Sequence, residues 1–490
     1  MNSGSVSGQS RSFRDFAAIA KRADIIMLDD QARTDSGGFQ HNGEVGKLIH
    51  GILGWDKLIP ESMAQYQAHK PWFRLASKPG PEARMWMIEG LAGGIQLWWH
   101  MVSARHEDRR MHHNPEAIFH WEAANEAFLL NRRPVATIGV VWSQENTDFY
   151  GRENTEERVD LPWRGITQAL LRARIPYLPV HADHIGRDAA GINTLILPNL
   201  AIMSDQQVDA VKRFVARGGS LIATGYTSLL DHSGEARENF ALADVFGATL
   251  TRPANLFAKD PTEKMAGEAY HTYLRLETAT NRHPVLQGFD ETDILPFGGL
   301  LDSLQVAPDA IVPLTFIPQF PVYPPEAAYM RTERTNIPGL ILREGPNKSR
   351  IAFMPADLDR QYGRTNLPDH ANLLRNIVLW ATQDNIPIKV QGPGLVDCHL
   401  YTQTHRLVLH LVNLTNENTW KQPLDELIPI GPLKISVKLS SGITGHNVRS
   451  LVAGGPGSTI AGNALTSSVN NGWCHFEIKS ITDHEVLVIA

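Results

Sequence analysis

Residues 193–225, NTLILPNLAIMSDQQVDAVKRFVARGGSLIATG, restrict the fold of this chain more than any other stretch. Thr194-Leu195-Ile196-Leu197 is an apolar run closed by Pro198, which reads as a buried strand ending at a turn. Ser204 and Gln207 carry the spacing of a capping box, so a helix is expected to start there. Val208, Val211, Phe214 and Val215 recur at helical spacing and give that helix one apolar face. Gly218-Gly219 stops it, and residues 221–224 follow as the next buried strand. Upstream, residues 135–142 and 177–180 read as strands, with a helix over 162–173 between them. Strands that alternate with helices across short links predict a doubly wound parallel sheet.

Such sheets bind ligands at the carboxyl ends of their strands. No G-x-G-x-x-G or G-x-x-x-x-G-K-[ST] follows any strand here, so a nucleotide has no support and no cofactor is expected. An amidotransferase-type sheet would need a cysteine on a tight turn after a central strand. The two cysteines, Cys398 and Cys474, lie far downstream. The turn itself reads Thr224-Gly225-Tyr226-Thr227-Ser228, and Ser228 has no G-x-S-x-G elbow around it. The α/β region is therefore expected to be a catalytically silent scaffold.

The segments LPNLAIMSDQQVDAVKRFVARGGSLIATG and SLLDHSGEARENFALADVFGA, with Val140-Val141-Trp142-Ser143-Gln144, together resemble the β-galactosidase trimerisation domain. That domain is an amidotransferase-like α/β unit that has lost its nucleophile. It follows the catalytic barrel in glycoside hydrolase family 42 and in related hypothetical glycoside hydrolases. The resemblance implies a carbohydrate substrate and a homo-oligomer, specifically a trimer.

At 490 residues the chain has room for about three domains. Its net charge of -6 argues against nucleic acid, which needs a basic face. Two cysteines cannot build a disulfide framework and fit a reducing compartment. The polar start has no apolar signal region, and no uninterrupted apolar run reaches about 18 residues. A cytoplasmic location without a membrane partner is expected. Trp55, Trp72, Trp86, Trp98, Trp99 and Trp121 concentrate in the first quarter, where flat aromatic faces serve core packing and sugar stacking alike.

In that quarter, residues 24–28 read as a buried strand ending in Asp29-Asp30. Carboxylates just past a parallel strand are where barrel enzymes place their chemistry; a capping or loop role would use the same residues. Helices are expected over 44–52, 82–91 and 117–130, and strands over 69–74 and 95–100. His106, His112 and His113 lack a metal-binding spacing such as H-E-x-x-H, so residues 106–113 read as a polar loop over the barrel mouth and no metal is expected.

The stretch SKPGPEARMWMIEGLAGGIQLWWH is similar to the end of the family's barrel: helix seven, strand eight and the loop after it. The resemblance places Asp29 and Asp30 at the end of strand six, Arg74 near the end of strand seven, Lys78 before helix seven, and His100 and Arg105 beyond strand eight. Asp29 and Asp30 are thus the catalytic candidates. Arg74, Lys78, Trp98, Trp99, His100 and Arg105 are the substrate-binding ones. Family 42 enzymes carry a nucleophilic glutamate at the end of strand seven. Trp72-Phe73-Arg74-Leu75 offers none, and Glu89 falls in a helix, so the chain resembles the hypothetical hydrolases more than family 42 itself. Three βα units in place of eight imply a barrel truncated on its N-terminal side, with weak or absent turnover.

Beyond Gly392-Pro393-Gly394, residues 395–401 and 407–414 alternate around a polar turn and predict a hairpin. Residues 433–439, 473–478 and 485–489 add further strands. The expected organisation is an α/β chain: a partial (β/α) barrel over 1–131, a doubly wound amidotransferase-like domain over 132–388 and a small β-sandwich over 389–490. The expected function is glycoside hydrolase-like, acting on O-glycosidic bonds in a β-galactosidase- or fucosidase-like manner. The alternative is a non-catalytic carbohydrate-binding or oligomerisation scaffold.

Overall fold

The computed structural model describes residues 18–19, 22–29, 31, 33, 38–64, 66–67, 73–101, 105, 107–252, 254, 271–277, 282–320, 324–330, 334–416, 423–452 and 462–490. They form two compact units. The first takes residues up to 136, 174–179 and those from 386 onward; the second takes 137–173 and 180–385.

The first unit begins with α1 (Gln40–Leu53), β1 (Pro60–Ala64), α2 (Gly80–Ala92), β2 (Gln96–His100) and α3 (Arg110–Leu129). β1 and β2 pair in parallel, from Pro60 opposite Gln96 to Ala64 opposite His100. Leu28 joins the other edge of β1 through a parallel bridge to Glu61. The strand expected over 24–28 is reduced to that bridge. Ile26 and Leu28 are buried while Ile25 and Met27 are exposed. The helices close up because glycines line their contact: a Cβ on Gly93 would lie 2.3 Å from Gly43 Cα.

α3 starts earlier than the sequence suggests, so Arg110 to His113 belong to a helix and not to the expected loop. Asp108 explains the start, since it accepts the Arg110 backbone N–H at 3.2 Å and that of Ser77 at 2.9 Å. The helix also runs through Pro115. Proline has no N–H, which leaves the Met111 carbonyl four residues back without its helical partner. The Trp99 indole N–H donates to that carbonyl at 2.9 Å.

The second unit is built on a nine-stranded sheet. Its elements are β3 (Ile138–Trp142), α4 (Leu161–Arg172), β4 (Tyr177–His181), β5 (Thr194–Leu197), α5 (Asp205–Ala216), β6 (Ser220–Thr224), β7 (His271–Leu276), β8 (Ile294–Pro296), β9 (Ile311–Phe320), β10 (Pro338–Glu344), β11 (Arg350–Met354), α6 (Leu358–Thr365) and α7 (Pro368–Thr382). The strand order is β8-β7-β9-β10-β11-β6-β5-β3-β4. From β11 to β3 neighbours run parallel, as the apolar runs predict. From β8 to β11 they run antiparallel, an arm built from the proline-rich middle of the sequence, which reads as strands and long loops without showing how they pair. The capping box forms: Ser204 Oγ accepts the Gln207 N–H, and the Gln207 side chain accepts that of Ser204. Residues 240–246 are helical only over Ala243–Phe246, because Ser228 takes the backbone N–H groups of Ala241 and Leu242.

The chain then returns to the first unit with β12 (Ile388–Gln391), β13 (Val396–Gln403), β14 (Arg406–Asn413), β15 (Leu433–Lys438), β16 (Trp473–Ile478) and β17 (His484–Ile489). The expected hairpin is β13–β14, paired from Val396–Asn413 to Gln403–Arg406. Two antiparallel sheets, of six and four strands, enclose a core that includes Leu400, Leu409, Ile435, Phe476 and Leu487. Among the described residues no helix is long and apolar enough to cross a membrane.

α4 and α6 cross in backbone contact: a Cβ on Gly165 would lie 1.8 Å from the Asp359 carbonyl oxygen. Gly165→Ala should therefore cost about 3 kcal/mol, the upper range for overpacking. Urea unfolding checks this, and a loss below about 0.5 kcal/mol, the level of an ordinary surface change, would contradict the contact.

Candidate functional site

Leu28, β1 and β2 lie side by side in parallel, so the residues after them emerge at one edge of the sheet. Asp29 follows Leu28 directly, half-buried, and its carboxylate accepts the Gln31 side-chain amide. The Lys78 ammonium, buried, donates to the Gln31 carbonyl at 2.7 Å. Asp29 and Lys78 are thus tied through one residue, Gln31. Asp30 lies outside the described residues.

Alternation along β2 decides what its aromatics can do. Trp99 faces the helices, where its indole serves Met111, and Met63 lies opposite it. Trp98 and His100 face the other way. Their rings are nearly parallel, 18° apart with centroids 6.4 Å apart, and Trp98 is 44% exposed. This forms an open platform at the strand ends. Arg105 is exposed in the segment that follows.

Arg74 requires a correction. The strand expected over 69–74 lies mostly outside the described residues. Its continuation, Phe73–Ser77, pairs antiparallel with Tyr66–Gln67 and is not a strand of the parallel set. Arg74 is exposed on that hairpin. The strand between Leu28 and β2 is β1, which carries a fully buried carboxylate, Glu61. Pro60 hid this strand in the sequence, although a proline at a strand's first residue is permitted. The buried alternation of Ile59, Glu61 and Met63 was the available signal. Glu61 shares its face with Met63, whose methyl would lie 3.0 Å from a Cβ on Gly90 of α2. Its carboxylate is therefore on the helix-covered side, away from the Trp98–His100 platform.

In the second unit the carboxyl ends of the parallel strands are closed by hydrogen bonds. Thr224 Oγ1 donates to Asp359 Oδ2 at 2.5 Å and accepts the Asn199 N–H at 2.9 Å. Thr227 Oγ1 donates to the Thr224 and Leu197 carbonyls. Ser228, with φ of 67°, is fully enclosed, and its hydroxyl accepts the Leu242 N–H at 3.2 Å. A hydroxyl so placed braces the turn and is sealed from a substrate. Cys398 and Cys474 are both buried in the β-sandwich. Among the described residues, one group of three side chains is close enough to share a metal ion: Glu89, Asp397 and His399.

Residues 136–286 match the family model of the β-galactosidase trimerisation domain. No curated protein matches the sequence. Several solved structures match the fold. An α-L-fucosidase, isoenzyme 2 from Paenibacillus thiaminolyticus, superposes with a TM-score of 0.71 at 15% identity, over 100% of this chain and 67% of its own. A β-galactosidase from Bacillus circulans sp. alkalophilus gives 0.65 at 15% identity, over 97% and 62%. Gan42B, a GH42 β-galactosidase from G. stearothermophilus in a catalytic mutant form, gives 0.63 at 14%, over 95% and 61%. This chain thus spans less than two thirds of the length of the two β-galactosidases. It carries a segment that matches the β-galactosidase trimerisation domain, and its fold is similar to those of these glycosidases.

Burial, and then the charge of Asp357, pushes the Asp359 carboxyl up to about 7. Its unfolded value is about 3.9. The neutral acid therefore contributes full stability below about pH 4, and the contribution is lost as pH rises towards about 7, on the order of 4 kcal/mol in all. Asp359→Asn should gain on the wild type by that order between pH 4 and pH 8. Urea unfolding at several pH values reads this difference; parallel profiles would rule out the raised carboxyl.

Proposed function

We propose that this chain is a glycoside hydrolase-like protein acting on O-glycosidic bonds, β-galactosidase- or fucosidase-like, with weak turnover on its own. The observation that supports it is the Trp98–His100 platform at the end of β2, on the same sheet edge as Asp29 with β1 between them. A sugar ring stacks on Trp98, His100 meets a hydroxyl, and Asp29 and Asp30 supply the carboxylate chemistry. Lys78 and Arg105 frame the same edge, Arg74 reaches it from the neighbouring hairpin, and Trp99 holds the platform in place from the opposite face.

Glycosidases flank the scissile bond with two carboxylates, about 5 to 9.5 Å apart, on opposite sides. Asp29 and Asp30 are neighbours and cannot do this together, while Glu61 faces the helices. Turnover is therefore expected to be weak with these two carboxylates alone. The domain limits 131/132 and 388/389 belong to this reading, with residues 132–388 assembling the chain into a homotrimer and a cytoplasmic location.

A second reading, a carbohydrate-binding or oligomerisation scaffold without chemistry, is favoured by the sealed Ser228 turn. A panel of nitrophenyl glycosides separates the two. The first predicts slow hydrolysis, below the usual enzymatic range of about 1 to 1000 per second, of one glycoside, lost on Asp29→Asn and weakened by Trp98→Ala. Hydrolysis at ordinary enzymatic rates would overturn the weak-turnover reading, and none on any member would favour the scaffold.

The assembly is tested separately by light scattering at micromolar concentration. Three times the chain mass of 54.4 kDa is expected; a monomer would defeat the trimer.

A further inference from the structure

Inside the first unit, side chains from distant parts of the sequence converge on one point. β13 alternates: Val396, Cys398 and Leu400 enter the sandwich core, so Asp397, His399 and Tyr401 occupy the opposite face. α2 packs on the hairpin from that side, and Tyr401 donates its hydroxyl to the Ala92 carbonyl at the end of α2. This brings Glu89 of α2 to the two β13 residues. All three are buried, Glu89 completely.

His399 Nε2 lies 3.1 Å from Asp397 Oδ2 and 3.4 Å from Glu89 Oε1. Both are ion-pair contacts, and neither carboxylate oxygen of Glu89 nor either ring nitrogen of His399 makes an aligned hydrogen bond. Asp397 uses its other oxygen, Oδ1, to accept the Cys398 N–H at 2.8 Å. Buried polar atoms are ordinarily satisfied, and leaving several unsatisfied at one place is costly.

The spacing matches what a small cation imposes. Bonds of about 2.0 to 2.2 Å in a tetrahedral shell hold ligand atoms about 3.4 Å apart. Two carboxylates face the imidazole and Lys47, whose ammonium packs over the Tyr177 ring at 4.7 Å, and a bound cation would take the place of the imidazole's proton. Lys47 acts electrostatically on both Asp397 and His399. Gly43 of α1 leaves the room: a Cβ there would lie 2.9 Å from Glu89 Oε1 and 3.4 Å from His399 Cε1.

We propose that Glu89, Asp397 and His399 form a binding site for one divalent cation of the zinc class, which fastens α2 to β13. One imidazole and two carboxylates, with a water completing the shell, is a ligand set that such ions accept. Because the site is enclosed, the ion enters as the unit folds and its binding adds to folding stability. The proposal is independent of any glycosidase activity.

The test uses the full chain, purified without chelator and again after unfolding in EDTA and refolding with zinc or cobalt. Elemental analysis should find about one ion per chain, and zinc should raise Tm by several degrees over the EDTA-treated protein. Cobalt should give the intense visible bands of a low-coordinate site. Glu89→Gln and His399→Gln, with circular dichroism as the folding control, should lose the ion, the bands and the Tm gain. A folded wild-type chain with no ion, no bands and no Tm response overturns the proposal whether or not the variants fold. Undiminished binding by both folded variants overturns it equally.

Discussion

The second unit depends on the parallel pairing of β6 with β11, which joins Leu221 through Thr224 to Ile351 through Met354. Here the parallel half of the sheet meets its antiparallel arm. Both strands are apolar, and the residues in register are buried. Phe353 lies stacked on Phe246 with centroids 4.2 Å apart. Turning out of β11, the chain enters α6 and delivers Asp359 beneath Thr224. A carboxyl that is buried there, its pKa raised by burial, turns the strand ends into a closed hydrogen-bonded lid. This leaves the region as framework in place of a pocket.

Glycine contacts hold each unit together by letting backbone approach backbone. Gly165 and Gly363 do so between α4 and α6, and Gly43 and Gly93 do so between α1 and the end of α2. Close approach increases dispersion contact and excludes water, but tolerates no added carbon. In the first unit it also places Glu89 against β13, where polar groups must find partners without solvent. Arg132 meets a related demand by donating to His410 and the Leu91 carbonyl while stacking on Tyr401 at 4.3 Å.

The strand-end site shows how a missing N–H can organise a surface. Pro115 leaves the Met111 carbonyl unpaired within α3, and Trp99 turns inward to satisfy it. Strand alternation then turns Trp98 and His100 outward. The outward-facing aromatic pair thus goes with a proline in the neighbouring helix. Trp98 and Trp99 look equivalent in the sequence, and only the partner of the indole N–H separates them.

By itself the sequence determined the elements whose signal is local. The capping box at Ser204, the apolar runs of β3, β5, β6 and β11, the glycine stop after α2 and the β13–β14 hairpin all follow from residues adjacent in the chain, as does the trimerisation-domain resemblance. Strand β1 escaped because Pro60 broke its pattern, and the pairing of the antiparallel arm because long proline-rich loops separate its strands. The tertiary structure alone decided which face Glu61 occupies, that Ser228 is sealed, and that Glu89 meets Asp397 and His399. Those outcomes depend on strand partners and helix contacts between residues far apart in the chain, set by burial and backbone approach, and no local spacing records them.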